Sequence, residues 1–321
     1  MDEFRFISKV KQNVYAQPSL LKGVGDDAAV FRNGQSDTVT AVDTFVENIH
    51  FSRQTMKPFY IGYKALAANL SDLAAMGAKP AYYLVSIVIP EHWSDIEIID
   101  IMNGMKSLAQ QYNIDLIGGD TVSGKELTIS VTIIGFAKSG KARYRHVSEE
   151  NDIIFVTGTL GDASAGLHIL QNKQSFENEQ YFIRRHQQPT PRVDFATSLN
   201  DISRIALNDI SDGISNEAHE IAEASDVSLH LYDEKVPVHL YLQQFKIEKQ
   251  TKWKYYGGED FELVGTVSEQ EWPKVQQIAQ QTNTKITAVG YVSERKEGTV
   301  FVHNKDNSIY QLEKKGFIHL K

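Results

Sequence analysis

The residues best able to do chemistry in this chain are acidic residues that lie beside glycines or in short polar segments. None of these segments supplies a cysteine, a catalytic triad or a Walker loop. The seven segments are Gly25-Asp26-Asp27, Val42-Asp43-Thr44, Leu70-Ser71-Asp72, Gly118-Gly119-Asp120, Gly161-Asp162, Asp209-Ile210-Ser211-Asp212-Gly213 and Gly257-Gly258-Glu259-Asp260. So many carboxylates would repel one another if they converged without cations, and Mg²⁺ typically takes one or two carboxylates together with substrate phosphates. The pattern therefore predicts an enzyme that gathers Mg²⁺ around a polyphosphate.

The composition argues against several other kinds of protein. The chain has 321 residues, 33 Lys and Arg against 41 Asp and Glu, and a net charge of -8. An acidic chain without a dense basic run is a poor partner for nucleic acid. The absence of cysteine excludes disulfides, thiolate nucleophiles and cysteine zinc sites. The N-terminus lacks the long apolar run of a secretory signal, and the longest apolar run, near residues 82–90, is too short for a membrane span. We therefore expect a cytoplasmic protein.

Several acidic segments have a structural explanation beside the functional one. Gly118-Gly119-Asp120 follows a short strand predicted at residues 114–117, and its glycines would let backbone N–H groups approach an anion. A plain β-turn explains that segment equally well. Residues 209–213 are predicted to end a strand and open a helix, where Ser211 or Asp212 could act as a helix cap. A helix N-terminus also attracts phosphate, and two carboxylates beside it could hold a metal on that phosphate.

The elements that must position these side chains are predicted from apolar periodicity and from capping residues. A helix over residues 58–76 carries Asp72, with small residues and Asn69 on the same face. A strand over residues 38–42 ends at Asp43, and a strand over residues 82–89 is expected to be buried on both faces. Residues 127–133 alternate between apolar and polar side chains, as in a half-buried strand.

A polar stretch over residues 138–152 is the best candidate for a domain boundary. It divides the chain into two mixed α/β domains, residues 1–137 and 138–321, so the predicted fold class is α/β (α+β). The N-terminal half would carry metal- and nucleotide-binding acidic segments, and the C-terminal half would complete the nucleotide and substrate site around a sheet flanked by helices.

Taken together, the motifs resemble the thiamine-monophosphate kinase family. The matching stretches follow the family's order: Gly23-Val24-Gly25-Asp26-Asp27-Ala28-Ala29, residues 42–51, residues 67–78, Gly118-Gly119-Asp120-Thr121, Asp209-Ile210-Ser211-Asp212-Gly213 and residues 257–263. The resemblance implies a two-domain α/β fold shared with aminoimidazole ribonucleotide synthetase and selenophosphate synthetase. It also implies a homodimer in which the N-terminal sheets pair, with thiamine monophosphate and ATP as substrates and several Mg²⁺ ions.

The resemblance further implies a role for particular residues. The implied magnesium ligands are Asp27, Asp43, Asp72, Asp120, Asp209 and Asp212. The implied ATP contacts are Gly119, Asp120, Arg145 and Ser211, and the implied contacts to the thiamine end are His50, Glu259 and Phe317. The chain departs from the family's pattern at Ala41-Val42, where relatives often carry hydroxyl residues, and at Phe45 and Asn48. Any metal contact from residues 41–42 would then come from main-chain carbonyls.

The implied reaction is in-line transfer of the γ-phosphoryl group of ATP to the phosphate of thiamine monophosphate. A phosphate monoester has a second pKa of about 6 and is mostly ionised at neutral pH, so no general base or covalent catalytic residue is expected. Two alternatives remain at this point: a ligase-like ATP-dependent enzyme of purine synthesis with the same fold, and a non-catalytic nucleotide- or metal-binding relative. Selenophosphate synthetase is disfavoured because the chain lacks cysteine.

Overall fold

The computed structural model describes residues 19–22, 26–172, 174–294 and 298–316, with the backbone alone at Asn33. These residues form two mixed sheets, one in each half of the chain, with helices packed against them. No helix in the described ranges is long and apolar enough to cross a membrane.

The N-terminal half is a six-stranded sheet covered by two long helices. Its elements are β1 (Leu20–Lys22), β2 (Ala29–Asn33), β3 (Ser36–Val46), α1 (Pro58–Ala75), β4 (Lys79–Ile89), α2 (Asp95–Tyr112), β5 (Asp115–Ser123) and β6 (Thr128–Lys138). The strand order is β1-β2-β3-β6-β4-β5, and β5 pairs with β4 in parallel whereas the other pairs are antiparallel. β5 is therefore an edge strand.

The two long helices begin and end where local chemistry dictates. Pro58 occupies the first turn of α1, where its missing N–H costs nothing, and Gly77 follows the helix with a left-handed φ of 65°. Ser94 caps α2 by accepting from the Glu97 N–H, and the Glu97 side chain accepts in return from the Ser94 N–H. Both helices were predicted from these signals.

The C-terminal half contains a seven-stranded sheet and the helices that connect its strands. Its elements are β7 (Ile153–Thr157), α3 (Asp162–Leu170), α4 (Glu179–Gln187), α5 (Val193–Ser198), β8 (Ile205–Ile210), α6 (Ile214–Ser225), β9 (Val227–Tyr232), α7 (Ile247–Tyr256), β10 (Glu262–Val267), α8 (Trp272–Gln281), β11 (Ile286–Glu294), β12 (Val300–His303) and β13 (Ile309–Gln311). The strand order is β13-β12-β9-β11-β7-β10-β8, and only β12 and β9 pair in parallel among these strands.

The largest apolar cluster joins the two halves. It contains the inner faces of β3 and β6, most of α1, and C-terminal residues such as Phe155, Phe195 and Leu263. Helix α1 is buried on nearly every side and contacts α5 and β8 as well as α2 and β3. The helix that carries Asp72 therefore lies at the centre of the molecule.

Three sequence-based expectations about the strands are wrong. β3 does not end at Asp43, because it pairs residue by residue with β6 from Ser36 to Val46. Gly118-Gly119-Asp120 is not a turn, because these residues lie inside β5 and pair with β4. A Cβ at Gly119 would overlap the Val85 carbonyl, so close packing of β5 against β4 explains why a glycine occupies this position. β4 is not buried on both faces, since Tyr82 is 39% exposed on the open side of the sheet.

Candidate active site

A cavity of about 830 Å³ lies between the end of β3 and the C-terminal half, where α3, α7 and residues 211–212, 258–259 and 261 line it. We call it the acidic cavity. Its wall includes Asp43, His50, Ser211, Asp212 and Glu259. Five residues with predicted metal, nucleotide or substrate roles, from distant parts of the sequence, therefore face one space.

Three of the predicted metal ligands converge into what we call the carboxylate cluster. Asp27 precedes β2, Asp72 lies on α1 and Asp209 lies near the end of β8. One carboxylate oxygen from each lies within 4.8 Å of the others. Asp27 has a second oxygen, Oδ2, that is buried and accepts no hydrogen bond from the described residues.

The carboxylates of this cluster have pKa values shifted toward the neutral form. Burial, followed by the charges of Asp43, Asp209 and Asp27, raises the pKa of Asp72 well above its usual value. Burial and the neighbouring Asp27 likewise raise the pKa of Asp209. Burial and Asp27 raise the pKa of Asp43 to about 6. Buried and half-buried carboxylates that repel one another, with an Asp27 oxygen that accepts no hydrogen bond from the described residues, are the donor set that a hard divalent cation would neutralise.

Arg145 is the cation that the chain itself supplies here. Its guanidinium donates to Asp27 Oδ1 at 2.5 Å and to Asn208 Oδ1 at 3.1 Å, and it pairs with Glu220 at 3.3 Å. Burial raises the pKa of Asp27 to about 6 even though Arg145 opposes the shift. One arginine is therefore too little positive charge for the carboxylates around it.

The segment before α6 bends into the cavity without capping that helix through a side chain. Gly213 is the capping residue, and its φ of 103° suits glycine alone. The simple capping explanation for Ser211 and Asp212 is therefore wrong. The Ser211 carbonyl instead accepts the Glu259 N–H at 2.6 Å, and Asp212 lines the cavity.

His50 comes to the acidic cavity from the N-terminal half of the chain, and Glu259 comes from the C-terminal half. His50 accepts the Val46 N–H at Nδ1 and stacks on Phe45 with ring centroids 5.2 Å apart. The fully buried Lys64 forms an ion pair with Glu259 at 2.7 Å. Burial would raise the pKa of Glu259, but the adjacent ammonium of Lys64 lowers it, so the carboxylate stays charged.

Two predicted residues, Gly119 and Asp120, lie neither on the cavity wall nor in the carboxylate cluster. Gly119 and Asp120 lie on the edge strand β5, where Asp120 accepts the Thr121 N–H. The register places Asp120 beside Ser86, then Ser130, then Thr44, three strands away and thus roughly 14 Å at the usual strand spacing. Phe317 lies outside the described residues.

The sequence reasoning missed several charged residues behind the cavity wall. Lys64 and His186 contact Glu259, and Arg185 and Arg192 contact the buried Glu262. A sequence signal existed for Lys64, because a lysine inside an Ala-rich helix that is apolar on every side must find a buried partner. The partner itself could not be read from the sequence.

Two family models match the chain. The model for the N-terminal domain of AIR synthase related proteins matches residues 25–137, and the model for their C-terminal domain matches residues 149–303. The chain that forms the two sheets and the acidic cavity is thus a protein of the AIR synthase related class.

Individual relatives narrow that class. A thiamine-monophosphate kinase of Bacillus subtilis is 42% identical over the full length of both chains, and one of Escherichia coli K12 is 34% identical over 92% of this chain and 91% of the other. A solved structure described as AaThiL complexed with AMPPCP and TMP is 28% identical, with a TM-score of 0.85 over 99% of this chain and 97% of the other. This chain belongs to the thiamine-monophosphate kinase family.

Proposed function

We propose that this chain transfers the γ-phosphoryl group of ATP to the phosphate of thiamine monophosphate, giving ADP and thiamine diphosphate. The observation that carries the proposal is the acidic cavity, which Asp43, Asp212, His50 and Glu259 line, together with the carboxylate cluster, whose charges interact with that of Asp43. The kinase relatives named above support it, as does the related structure that holds the ATP analogue AMPPCP together with TMP.

The carboxylates fit Mg²⁺ as the metal. Asp27, Asp72 and Asp209 would hold one ion, and we assign Asp43 and Asp212, which line the cavity wall, to further ions. Bound Mg²⁺ would neutralise charge on the nucleotide phosphates and on these carboxylates. The oxygen-only donor set and the raised pKa values of the cluster support a hard divalent cation over a soft one.

The chain's own residues mainly bind and orient the two substrates. Arg145 fixes Asp27 through a charge-assisted hydrogen bond. Helix α6 begins directly after Ser211 and Asp212, which line the cavity, with Gly213 as its N-cap. The acceptor phosphate is already ionised near neutral pH, so none of these residues must remove a proton. An acceptor oxygen bonds to the γ-phosphorus, and the bond to the β,γ-bridging oxygen breaks, with its electron pair leaving on ADP.

The thiamine end of the acceptor is assigned to the side with His50 and Glu259. The thiazolium ring is a cation, and a charged carboxylate beside the His50 imidazole suits a flat cationic ring. The resemblance adds Phe317 to this group as a further aromatic contact.

Product analysis tests the proposal directly. Purified protein with ATP and Mg²⁺ should convert thiamine monophosphate to thiamine diphosphate, with one ADP formed per product molecule. Thiamine without its phosphate is the matched control and should not be phosphorylated. Turnover of purine-synthesis intermediates in place of thiamine monophosphate would refute the proposed substrate.

We also propose that the active form is a homodimer assembled through the N-terminal sheet. The edge strand β5 is exposed along its whole length and carries Leu116, Ile117 and Val122 at about half their full exposure. An exposed apolar edge strand is normally covered in a native protein. The metal and nucleotide roles of Gly119 and Asp120 are proposed for this assembled form, since one chain alone leaves them on the uncovered edge.

A further inference from the structure

A lysine is buried behind the wall of the acidic cavity. The Lys64 side chain on α1 has no exposed surface, and its Nζ lies 2.7 Å from Glu259 Oε2. A buried ammonium is costly unless it is paired and hydrogen-bonded. Glu259 belongs to the C-terminal half, so this ion pair links the central helix of one half to the cavity wall of the other.

His186 on α4 is the second partner of this lysine. Its Nδ1 lies 3.4 Å from Lys64 Nζ and 3.6 Å from Glu259 Oε2, and the side chain is 2% exposed. A lysine can only donate, so Nδ1 accepts and the ring proton lies on Nε2. Burial, and then Lys64, lowers the pKa of His186 to about 3, so the ring is neutral and adds no charge.

The backbone of Glu259 is also held in an uncommon conformation. Its φ is 67°, in the left-handed region that favours glycine. Its N–H donates to the Ser211 carbonyl at 2.6 Å, which fixes this conformation. A carboxylate on a constrained backbone, paired from behind and 29% exposed toward the cavity, is held in one place.

We propose that Lys64, with His186 as its second acceptor, is a positioning residue that fixes the orientation of the Glu259 carboxylate toward the thiamine end of the substrate. Lys64 engages Oε2 from the buried side, and a carboxylate has further lone pairs for a ligand. The inference rests on the proposed function, because it concerns the same acceptor site. Neither Lys64 nor His186 lines the cavity, so both act through Glu259.

The Lys64→Met variant removes the charge and keeps most of the side-chain volume. We expect KM for thiamine monophosphate to rise roughly 30-fold, the scale on which losing one partner of a buried charge pair weakens binding. KM for ATP should stay within about twofold, because Glu259 and His186, the side-chain partners of Lys64, are not among the proposed nucleotide contacts. The Arg143→Met variant is the control, since Arg143 is a buried cation that binds only the Leu199 and Ile202 carbonyls among the described residues. It should lower Tm without changing either KM.

A double variant keeps the test decisive if Lys64→Met alone does not fold. Combining Lys64→Met with Glu259→Gln leaves no unpaired buried charge, so this protein should fold. If Lys64 acts through Glu259, the double variant has the same KM for thiamine monophosphate as Glu259→Gln alone. A further rise in KM on adding Lys64→Met, or a Lys64→Met protein with unchanged KM, would overturn the inference. Wild-type protein without activity on thiamine monophosphate would instead refute the proposed function, and the inference with it.

Discussion

At the scale of single residues, the like charges of the carboxylate cluster lower the stability of the metal-free fold and provide ligands for a metal ion. Asp72 is half-buried among like charges, and its pKa is raised by burial and by three other aspartates. Active sites commonly keep such unfavourable arrangements because ligand binding needs them. Removing one charge should therefore stabilise the metal-free fold and damage the site.

The Asp72→Asn variant tests this residue. In the presence of EDTA its Tm should exceed that of the wild type by a few degrees, since about 1 kcal/mol moves Tm by about 2–4 °C in domains of 150–250 residues. Addition of Mg²⁺ should raise Tm of the wild type more than that of the variant, and the variant should lose most of its kinase activity. Full activity of the variant at limiting Mg²⁺ would contradict the assignment of Asp72 as a ligand.

At the scale of elements, one buried carboxylate fastens two helices to the C-terminal sheet. Glu262 begins β10, and its side chain accepts from Arg185 on α4 at 2.7 Å and from Arg192 at the start of α5 at 2.5 and 2.6 Å. The Thr157 hydroxyl donates to it from β7 at 2.5 Å. Burial would raise the pKa of Glu262, but Arg192 and Arg185 lower it below its ordinary value of 4.5.

The contribution of Glu262 to folding stability should therefore fall in acid. Because the pKa of Glu262 is lower in the folded than in the unfolded chain, its contribution is complete above about pH 4.5 and is lost as the pH falls through the folded-state pKa. Glu262→Gln should cost about 3–5 kcal/mol at pH 7, as expected when one partner of a buried ion pair is removed. Urea unfolding at pH 7 and pH 4 measures both effects. Glu149→Gln, at a carboxylate that is 68% exposed, is the control and should change little.

At the scale of the whole molecule, the open edge of the N-terminal sheet determines the expected assembly. Sedimentation should give twice the chain mass of 36.1 kDa at micromolar concentration. Ile117→Asp places a charge on β5 where the side chain is 53% exposed, so it should leave the fold of the single chain intact and shift the protein toward a monomer. An active wild-type monomer would exclude the proposed dimer.

Local signals in the sequence were sufficient to predict most helices and strands. They were insufficient to predict which strands pair and which side chains meet across the fold. Pro58, Ser94 and the alternation around Ile129–Val131 predicted α1, α2 and β6, because capping and periodicity act over a few residues. Gly118-Gly119-Asp120 was misread as a turn, since only pairing with β4 makes it a strand. The contacts of Lys64 with Glu259 could not be predicted, because they join residues from opposite halves of the chain.

The position of helix α1 in the chain also has a consequence for the protein during its synthesis. The ribosome releases this helix before α5 and β8, which cover part of its apolar surface in the finished structure. Until those later residues emerge, buried side chains such as Leu66 and Leu70 have only their N-terminal neighbours to pack against. Nascent chains with exposed apolar surface are prone to aggregate. The helix that brings the two halves together in the native enzyme therefore exposes apolar surface during synthesis until α5 and β8 are available to cover it.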